Sequence, residues 1–167
     1  MKLFLDTNVV IDYLAKRQPF AEDANRMITW CLQKKYELCL SALSFTIIYY
    51  VLKRQYGHDR LVALLSDLLS LMTVGEVDDD VLQHALASEF TDFEDAVQCY
   101  AAIACGADVI VTRNVKDFGH SPLLVRTPAE VCDLLNGCGG NNVHSSLVNE
   151  PMVPYGPDND FLSTDSR

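Results

Sequence analysis

Acidic side chains recur where the sequence predicts that a strand ends or a helix begins. Asp6 directly follows the first apolar run of the chain, and Asp117 lies just past a second apolar run at 109–111. Asp92 and Asp95 open the predicted helix that leads into that second run. Binding sites in open parallel α/β sheets lie outside the carboxyl ends of the strands. We therefore expect these acids to meet at one edge of a sheet.

A cluster of carboxylates at one edge predicts a cation. Unpaired carboxylates repel one another, and a hard cation such as Mg²⁺ or Mn²⁺ relieves that repulsion. Asn114, just before Asp117, adds a neutral oxygen donor. A metal held by a few such ligands keeps positions open to water and phosphate, which suits phosphodiester hydrolysis. A single acid at a helix start is often only a cap, so the convergence is what favours a site.

The elements that must position these acids alternate along the chain. Strands are predicted at 2–5, 37–40, 72–77, 108–111 and 123–125. Helices are predicted at 9–14, 20–35, 41–55, 59–71, 92–106 and 128–135, with a further helix start at the acidic run 78–80. Strands that alternate with helices favour an α/β fold with a parallel sheet covered on both faces.

Composition sets limits on this reading. The 167 residues are 49% hydrophobic, which excludes a disordered or collagen-like chain. The net charge of −10 is not typical of a nucleic-acid or anionic-membrane binder. No apolar run approaches the roughly 20 residues that span a bilayer. The six cysteines show no metal-binding spacing, so we expect reduced thiols in a cytoplasmic protein.

The chain divides into two parts near residue 136. Residues 1–136 carry all the predicted strands and helices and are expected to form one domain. Residues 137–167 are rich in Gly, Asn, Ser, Pro and Asp without apolar periodicity. Such a composition predicts a flexible C-terminal tail.

Three stretches of the chain together resemble the PIN-domain family. They are Leu5-Asp6-Thr7-Asn8-Val9-Val10-Ile11-Asp12, the helix opened by Asp95, and Thr112-Arg113-Asn114-Val115-Lys116-Asp117-Phe118. The resemblance covers about residues 1–135. PIN domains are small metal-dependent ribonucleases, and the group includes the VapC-type toxins of bacterial toxin–antitoxin pairs. The resemblance implies a three-layer α/β/α sandwich with a mostly parallel central sheet of about 4–5 strands.

The resemblance and the residues around it give a candidate site. The catalytic residues it implies are Asp6, Asp95 and Asp117. The candidate ligands of Mg²⁺ (or Mn²⁺) are Asp6, Asp95, Asp117, Asn114 and Asp92. Thr7, Asn8 and Thr112 are expected to support the carboxylates by hydrogen bonds, and Arg113 and Lys116 to contact substrate phosphate.

The sequence departs from the family's pattern at one acid. The family's second acid, a Glu in the helix after the second strand, should fall in 41–50, and that stretch holds no acid. The best alignment places Ile47 in the Glu position. In one interpretation Asp92 compensates, with Asp12 and Glu94 as weaker candidates. In the other the site has decayed, and the domain is an RNA- or protein-binding module.

The resemblance therefore implies a metal-dependent endoribonuclease that hydrolyses RNA phosphodiester bonds and serves as the toxin of a toxin–antitoxin pair. A small antitoxin protein is its expected partner. Tyr49, Tyr50 and the leucines of 61–71 exceed what one small core needs, and Tyr is favoured at interfaces. We therefore expect a homodimer.

Overall fold

The structure is a computed structural model that describes residues 1–137. Its strands are β1 (Lys2–Leu5), β2 (Glu37–Ser41), β3 (Thr73–Gly75), β4 (Val109–Val111) and β5 (Leu124–Arg126). Its helices are α1 (Thr7–Ala15), α2 (Ala21–Gln33), α3 (Ala42–Tyr56), α4 (His58–Leu71), α5 (Asp79–Ala87), α6 (Phe93–Ala104) and α7 (Pro128–Gly137). One 3₁₀ turn, Val115–Phe118, follows β4.

The five strands form one parallel sheet in the order β3-β2-β1-β4-β5. The register places Leu5 of β1 beside Leu40 of β2 on one side and beside Val111 of β4 on the other. The carboxyl ends of the three central strands are therefore level with one another. Residues that follow these strands in the sequence emerge at the same edge.

Helices cover both faces of the sheet and create two cores. Leu3 and Leu5 pack into a core with α1, α2, α3, α4 and α7, whereas Phe4 packs into a second core with α5 and α6. This division follows from the alternation of side chains along a strand. The predicted three-layer α/β/α sandwich, with five strands in a parallel sheet, is confirmed.

The helices around the edge begin at side-chain caps. Asp6 accepts a hydrogen bond from the Asn8 backbone N–H, and Ser41 accepts one from the Leu43 N–H at 3.1 Å. Asp92 caps α6, and Asp78 caps α5 through the Val81 N–H. Each cap satisfies at least one of the free N–H groups at a helix start, and Asp92 satisfies two. The helix predicted from residue 92 therefore begins one residue later.

Other boundaries moved slightly. The strand predicted at 72–77 is shorter, Thr73–Gly75, and the 3₁₀ turn at Val115–Phe118 had no predicted counterpart. Gly75 lies close to the second core, because a Cβ there would approach the Phe4 ring to 3.2 Å.

Some predictions concern the chain beyond the described residues. The predicted flexible tail begins at Gly137, and the rest of it, 138–167, lies outside the described residues. The cysteines between residues 1 and 137 are all free thiols, and Cys138 lies beyond them. None of the helices in the described part of the chain is long and apolar enough to cross a membrane.

Candidate active site

A pocket of about 290 Å³ lies at the carboxyl edge of the sheet. Its lining comes from the residues after β1, from α3, from the start of α6 and from the segment after β4. The lining residues are Asp6, Thr7, Asn8, Ile11, Arg17, Ile47, Asp92, Glu94, Asp95, Arg113, Asn114 and Asp117. Five carboxylates and two guanidinium groups therefore share one depression.

Asp6 is the most buried carboxylate of the pocket, with 3% of its surface exposed. The Thr112 hydroxyl donates to its Oδ2 at 2.6 Å, and the Asn8 side-chain amide donates to the same oxygen. Burial raises the pKa of Asp6, while the hydrogen bonds from Thr112 and Asn8 lower it in part. Its position is fixed by neutral donors.

The start of α6 supplies three more acids. Burial, followed by the charges of Asp6, Asp92, Asp117 and Glu94, raises the pKa of Asp95 to about 7. Burial also raises the pKa of Glu94, with Asp6 and Asp92 adding to the effect. An aspartate with such a pKa is half-protonated at neutral pH, because burial and the neighbouring carboxylates both disfavour its charged form.

Asp92 has a different position from the other acids of α6. Its Oδ1 accepts hydrogen bonds from the backbone N–H of Glu94 at 2.8 Å and of Asp95 at 3.3 Å. One oxygen of Asp92 is thus engaged in capping the helix, and the other is not part of that cap. Asp92 lines the pocket and can act both as the helix cap and as a ligand of a metal ion.

The segment after β4 completes the edge. The Asn114 backbone N–H donates to the Thr112 hydroxyl at 3.0 Å, and the Arg113 N–H lies 3.4 Å from Asn8 Oδ1. Asp117 stands on the 3₁₀ turn and is exposed. Thr112 therefore links the Asp6 carboxylate to the loop that carries Asn114 and Asp117.

Asp12 has a partner within the chain. Both of its carboxylate oxygens lie 2.9 Å from Arg113 Nη1, and only 1% of Asp12 is exposed. Burial raises the pKa of Asp12, and the charges of Arg113 and Arg17 lower it. The Arg113 guanidinium also lies over the Phe20 ring, 4.8 Å from its centre. Asp12 is therefore a partner of Arg113 in this structure and is absent from the pocket lining.

Most of the predicted site residues meet at the pocket. Those in its lining are Asp6, Thr7, Asn8, Asp92, Asp95, Arg113, Asn114 and Asp117. Thr112 lies behind Asp6 as a hydrogen-bond donor. Lys116 is exposed on the 3₁₀ turn and does not line the pocket. Ile47, aligned with the missing Glu, lines it from α3, so an apolar side chain stands beside the carboxylates.

Sequence reasoning missed several residues that shape the site. Gln98 is buried, accepts from the Thr7 backbone N–H at 3.1 Å and donates to Glu94 at 3.3 Å. The buried Ser44 hydroxyl lies 2.8 Å from the Thr7 hydroxyl. The signal for Gln98 was its place one helical turn after Asp95. Arg17 follows α1 and carried no local signal.

The donor chemistry of the pocket fits a hard divalent cation. Carboxylate and amide oxygens are the ligands that Mg²⁺ and Mn²⁺ prefer. Within residues 1–137, however, no three His, Cys, Asp or Glu side chains are arranged as a finished metal-binding group. The pocket thus provides the donors and an excess of negative charge, and its carboxylates would have to move closer together around an ion.

Comparison with known proteins decides the family. The model of the PIN domain matches residues 2–116. The chain belongs to the PIN-domain family. The match spans β1 through the first part of the 3₁₀ turn, and thus every residue of the pocket lining except Asp117.

The individual relatives of this PIN-domain protein share 27% sequence identity with it or less. It is 27% identical to ribonuclease VapC1 of Aquifex aeolicus over 139 residues, which cover 81% of this chain and 96% of the relative. The VapBC2 structure from Rickettsia felis, bound to a promoter DNA fragment, superposes with a TM-score of 0.60 at 18% identity, covering 76% and 98% of the two chains. VapC20 from Mycobacterium tuberculosis, a sarcin-ricin loop cleaving toxin, gives 0.51 at 20% identity, covering 65% and 86%. At these identities the structures show the fold that the PIN-domain chain shares with them.

Proposed function

We propose that this PIN-domain protein is a Mg²⁺- or Mn²⁺-dependent endoribonuclease that hydrolyses RNA phosphodiester bonds and acts as the toxin of a toxin–antitoxin pair. The observation that carries the proposal is the meeting of five carboxylates from three segments around Asp95, whose pKa rises to about 7. The ribonuclease VapC1 and the sarcin-ricin loop cleaving toxin VapC20 among its relatives support this activity.

The residues that would hold the metal are Asp6, Asp95 and Asp117, together with Asn114 or Asp92. A bound divalent cation supplies an activated water and neutralises the negative charge that develops on phosphorus. Asp6 is ready for this role because Thr112 and Asn8 fix its orientation by hydrogen bonds. Arg113 lines the same pocket, and we expect it to contact a phosphate oxygen of the substrate.

Asp95 has a protonation state that depends on the contents of the pocket. With a pKa of about 7, its carboxyl holds a proton in half of the molecules at neutral pH. That proton must leave before both carboxylate oxygens can act as donors. We therefore expect RNA cleavage to increase as the pH rises toward and beyond 7.

Cleavage of a labelled RNA in Mg²⁺ or Mn²⁺ tests the proposal. The protein should cleave with metal and stop when EDTA is added, and Asp6→Asn and Asp95→Asn should each abolish cleavage. Asp67→Asn, which removes the same charge from an exposed position on α4, is the matched control. Cleavage that survives both pocket substitutions would refute the proposed site.

One observation favours a second candidate function. Ile47 stands in the pocket where the family resemblance places a Glu, and an isoleucine neither binds a metal nor orients a water. In this alternative the domain is catalytically degenerate and binds RNA or a protein. It predicts binding that EDTA leaves unchanged and no heat when metal is titrated into the protein.

Partners form part of the same proposal. A small antitoxin protein is the expected partner, as in the VapBC complexes among the structural relatives. A homodimer is supported by apolar side chains exposed on neighbouring helices, Tyr50 on α3 and Leu69 on α4. The protein would act in the cytoplasm. Light scattering coupled to size-exclusion chromatography measures the oligomeric state, and a monomer at all concentrations would contradict the dimer.

A further inference from the structure

A basic and aromatic corner lies on one rim of the acidic pocket. It consists of Arg17, Phe20 and Arg113, grouped around the buried Asp12. Both arginines line the pocket, and the charges of both lower the pKa of Asp12. They are the only cations in the pocket lining formed by the described residues.

The guanidinium of Arg113 is held from two directions. Asp12 binds it through both carboxylate oxygens at 2.9 Å, and the Phe20 ring lies against it with a distance of 4.8 Å to the ring centre. Cation–π contacts of this kind keep the two planar groups together. The Arg113 side chain is still 29% exposed, so part of the guanidinium faces solvent.

The main chain of the segment that carries Arg17 and Phe20 is also held by hydrogen bonds. The Arg17 backbone N–H donates to the Asp12 carbonyl at 3.1 Å, and the Ala21 N–H donates to the Arg17 carbonyl at 2.8 Å. The segment between α1 and α2 is thus tied to both helices. Phe20 is nevertheless 43% exposed, which is a large apolar surface to leave in water beside a polar pocket.

An exposed aromatic ring beside two arginines suits a nucleotide better than a simple anion. Single-stranded nucleic acids bind where cations contact the phosphates and aromatic side chains stack on the bases. The corner combines both features next to five carboxylates, which would repel a bare phosphate. A base on Phe20 adds binding free energy that this repulsion does not reduce.

We propose that Arg17, Phe20 and Arg113 form a binding subsite for one nucleotide of single-stranded RNA, next to the acidic pocket. The base stacks on the exposed part of the Phe20 ring, and Arg17 and Arg113 contact the adjacent phosphate. Asp12 is a positioning residue that holds Arg113 in place. This inference rests on the proposed ribonuclease function, and it describes how the RNA substrate is bound.

Fluorescence anisotropy in Mg²⁺ with an Asp95→Asn parent, which suppresses cleavage, tests the subsite. The probes are a labelled oligouridine of about ten nucleotides and a ribose-phosphate strand of the same length without bases. Phe20→Leu should weaken binding of oligouridine roughly fivefold or more, because base stacking is lost. It should weaken binding of the abasic strand less than about twofold, because Asp12 still holds Arg113 after the cation–π contact is lost. Arg17→Ala should weaken binding of both probes by about threefold to tenfold. It should also reduce the slope of log K against log salt concentration by roughly 0.7, because one phosphate contact is lost.

Arg54→Ala is the matched control for charge. Arg54 is exposed on α3 and does not line the pocket, so this variant should bind both probes like the parent. The proposal is overturned if Phe20→Leu and Arg17→Ala bind no more weakly than Arg54→Ala, or if the parent binds neither probe. Unchanged RNA binding together with a lost dimer would assign the corner to a protein contact and overturn the proposal as well.

The subsite and the proposed function can fail separately. The protein with Asp95 intact is assayed for cleavage of the same oligouridine in Mn²⁺. Stacking-dependent binding without cleavage would support the subsite and contradict the nuclease. Cleavage with binding that ignores Phe20 and Arg17 would support the nuclease and contradict the subsite.

Discussion

Two aspartates of α1, its cap Asp6 and Asp12 within the helix, have opposite electrostatic surroundings. Asp6 caps α1 and is 3% exposed, and Asp12, near the end of the same helix, is 1% exposed. Burial raises the pKa of both. Asp12 has a cationic partner, Arg113, at 2.9 Å. Asp6 is held by the neutral donors Thr112 and Asn8 and lies beside other carboxylates.

The difference in electrostatic surroundings indicates that Asp12 stabilises the fold, whereas Asp6 belongs to the candidate active site. A buried charge normally needs a partner, because removing it from water is costly. Asp12 has found that partner inside the protein and helps to fix Arg113. Asp6 forms no salt bridge with a described residue, the charge of Arg113 lowers its raised pKa only in part, and the carboxylates around Asp95 add negative charge beside it. We therefore expect an external cation to compensate the charge of Asp6 and of the acids next to it.

The largest effect is expected on RNA cleavage when a carboxylate of the pocket is replaced. Asp6→Asn and Asp95→Asn should each lower RNA cleavage by about 100-fold or more, since loss of a metal ligand removes the activated water and the charge neutralisation that the ion supplies. Single-turnover cleavage with saturating Mn²⁺ measures the effect. Asp67→Asn should retain full activity, and an equal loss in that variant would contradict the account.

Substitution of Asp12 should instead lower the stability of the fold. Asp12→Asn leaves Arg113 without its buried counterion, and we expect the free energy of unfolding to fall by about 2–4 kcal/mol. Urea denaturation measures the change. The double variant Asp12→Asn with Arg113→Met should recover part of the loss, because no unpaired charge remains. A stability of Asp12→Asn equal to the wild type would show that the ion pair contributes nothing.

Much of this arrangement could be predicted from the sequence because it depends on local signals. Asp6 after an apolar strand, and Asp92 and Asp95 at a helix start, are placed by the level carboxyl ends of a parallel sheet. The roles of Arg17, Gln98 and the Asp12–Arg113 pair could not be predicted. They depend on contacts between residues far apart in the chain, such as the 101 positions that separate Asp12 from Arg113.

The raised pKa of Asp95 should make the stability of the protein depend on pH. The pKa of Asp95 is about 7 in the folded protein against an ordinary value of 3.8. The folded state therefore binds this proton more tightly, so the free energy of unfolding is highest below pH 3.8 and falls as the pH rises through 7. In EDTA we expect Asp95 to account for a fall on the order of 2 kcal/mol, after allowing for solvent screening.

The matched variant isolates this contribution. Asp95→Asn has no charge to repel its neighbours, so the difference in unfolding free energy between it and the wild type should grow from about pH 4 to about pH 8. Urea denaturation at several pH values gives both curves. A difference that stays constant with pH would show that the Asp95 pKa is not raised in the folded protein.

The smallest effect concerns the departure from the family's pattern at Ile47. Ile47→Glu adds a sixth carboxylate to the pocket lining, so we expect Mn²⁺ to bind about tenfold more tightly. Without metal the variant should be less stable than the wild type, because the new charge meets the existing ones. Ile47→Gln, of similar shape and no charge, should show neither effect. Weaker Mn²⁺ binding by Ile47→Glu would mean that this side of the pocket does not face the ion.

Position 47 also marks the limit of reasoning from the sequence. The resemblance aligned Ile47 with a missing acid, and the structure places its side chain in the pocket lining. Whether neighbouring acids take over depends on how far the Asp92 and Glu94 side chains reach. Asp92 already gives one oxygen to the helix cap, and Glu94 shares Gln98 with the Thr7 backbone.

Calorimetric titration of Mn²⁺ into the metal-free protein shows whether a cation compensates the charge of Asp6. We expect the wild type to bind Mn²⁺, Asp6→Asn and Asp95→Asn to lose this binding, and Asp12→Asn to retain it while folded. Absence of Mn²⁺ binding by the wild type, or the same loss in Asp12→Asn as in Asp6→Asn, would show that no cation binds beside Asp6.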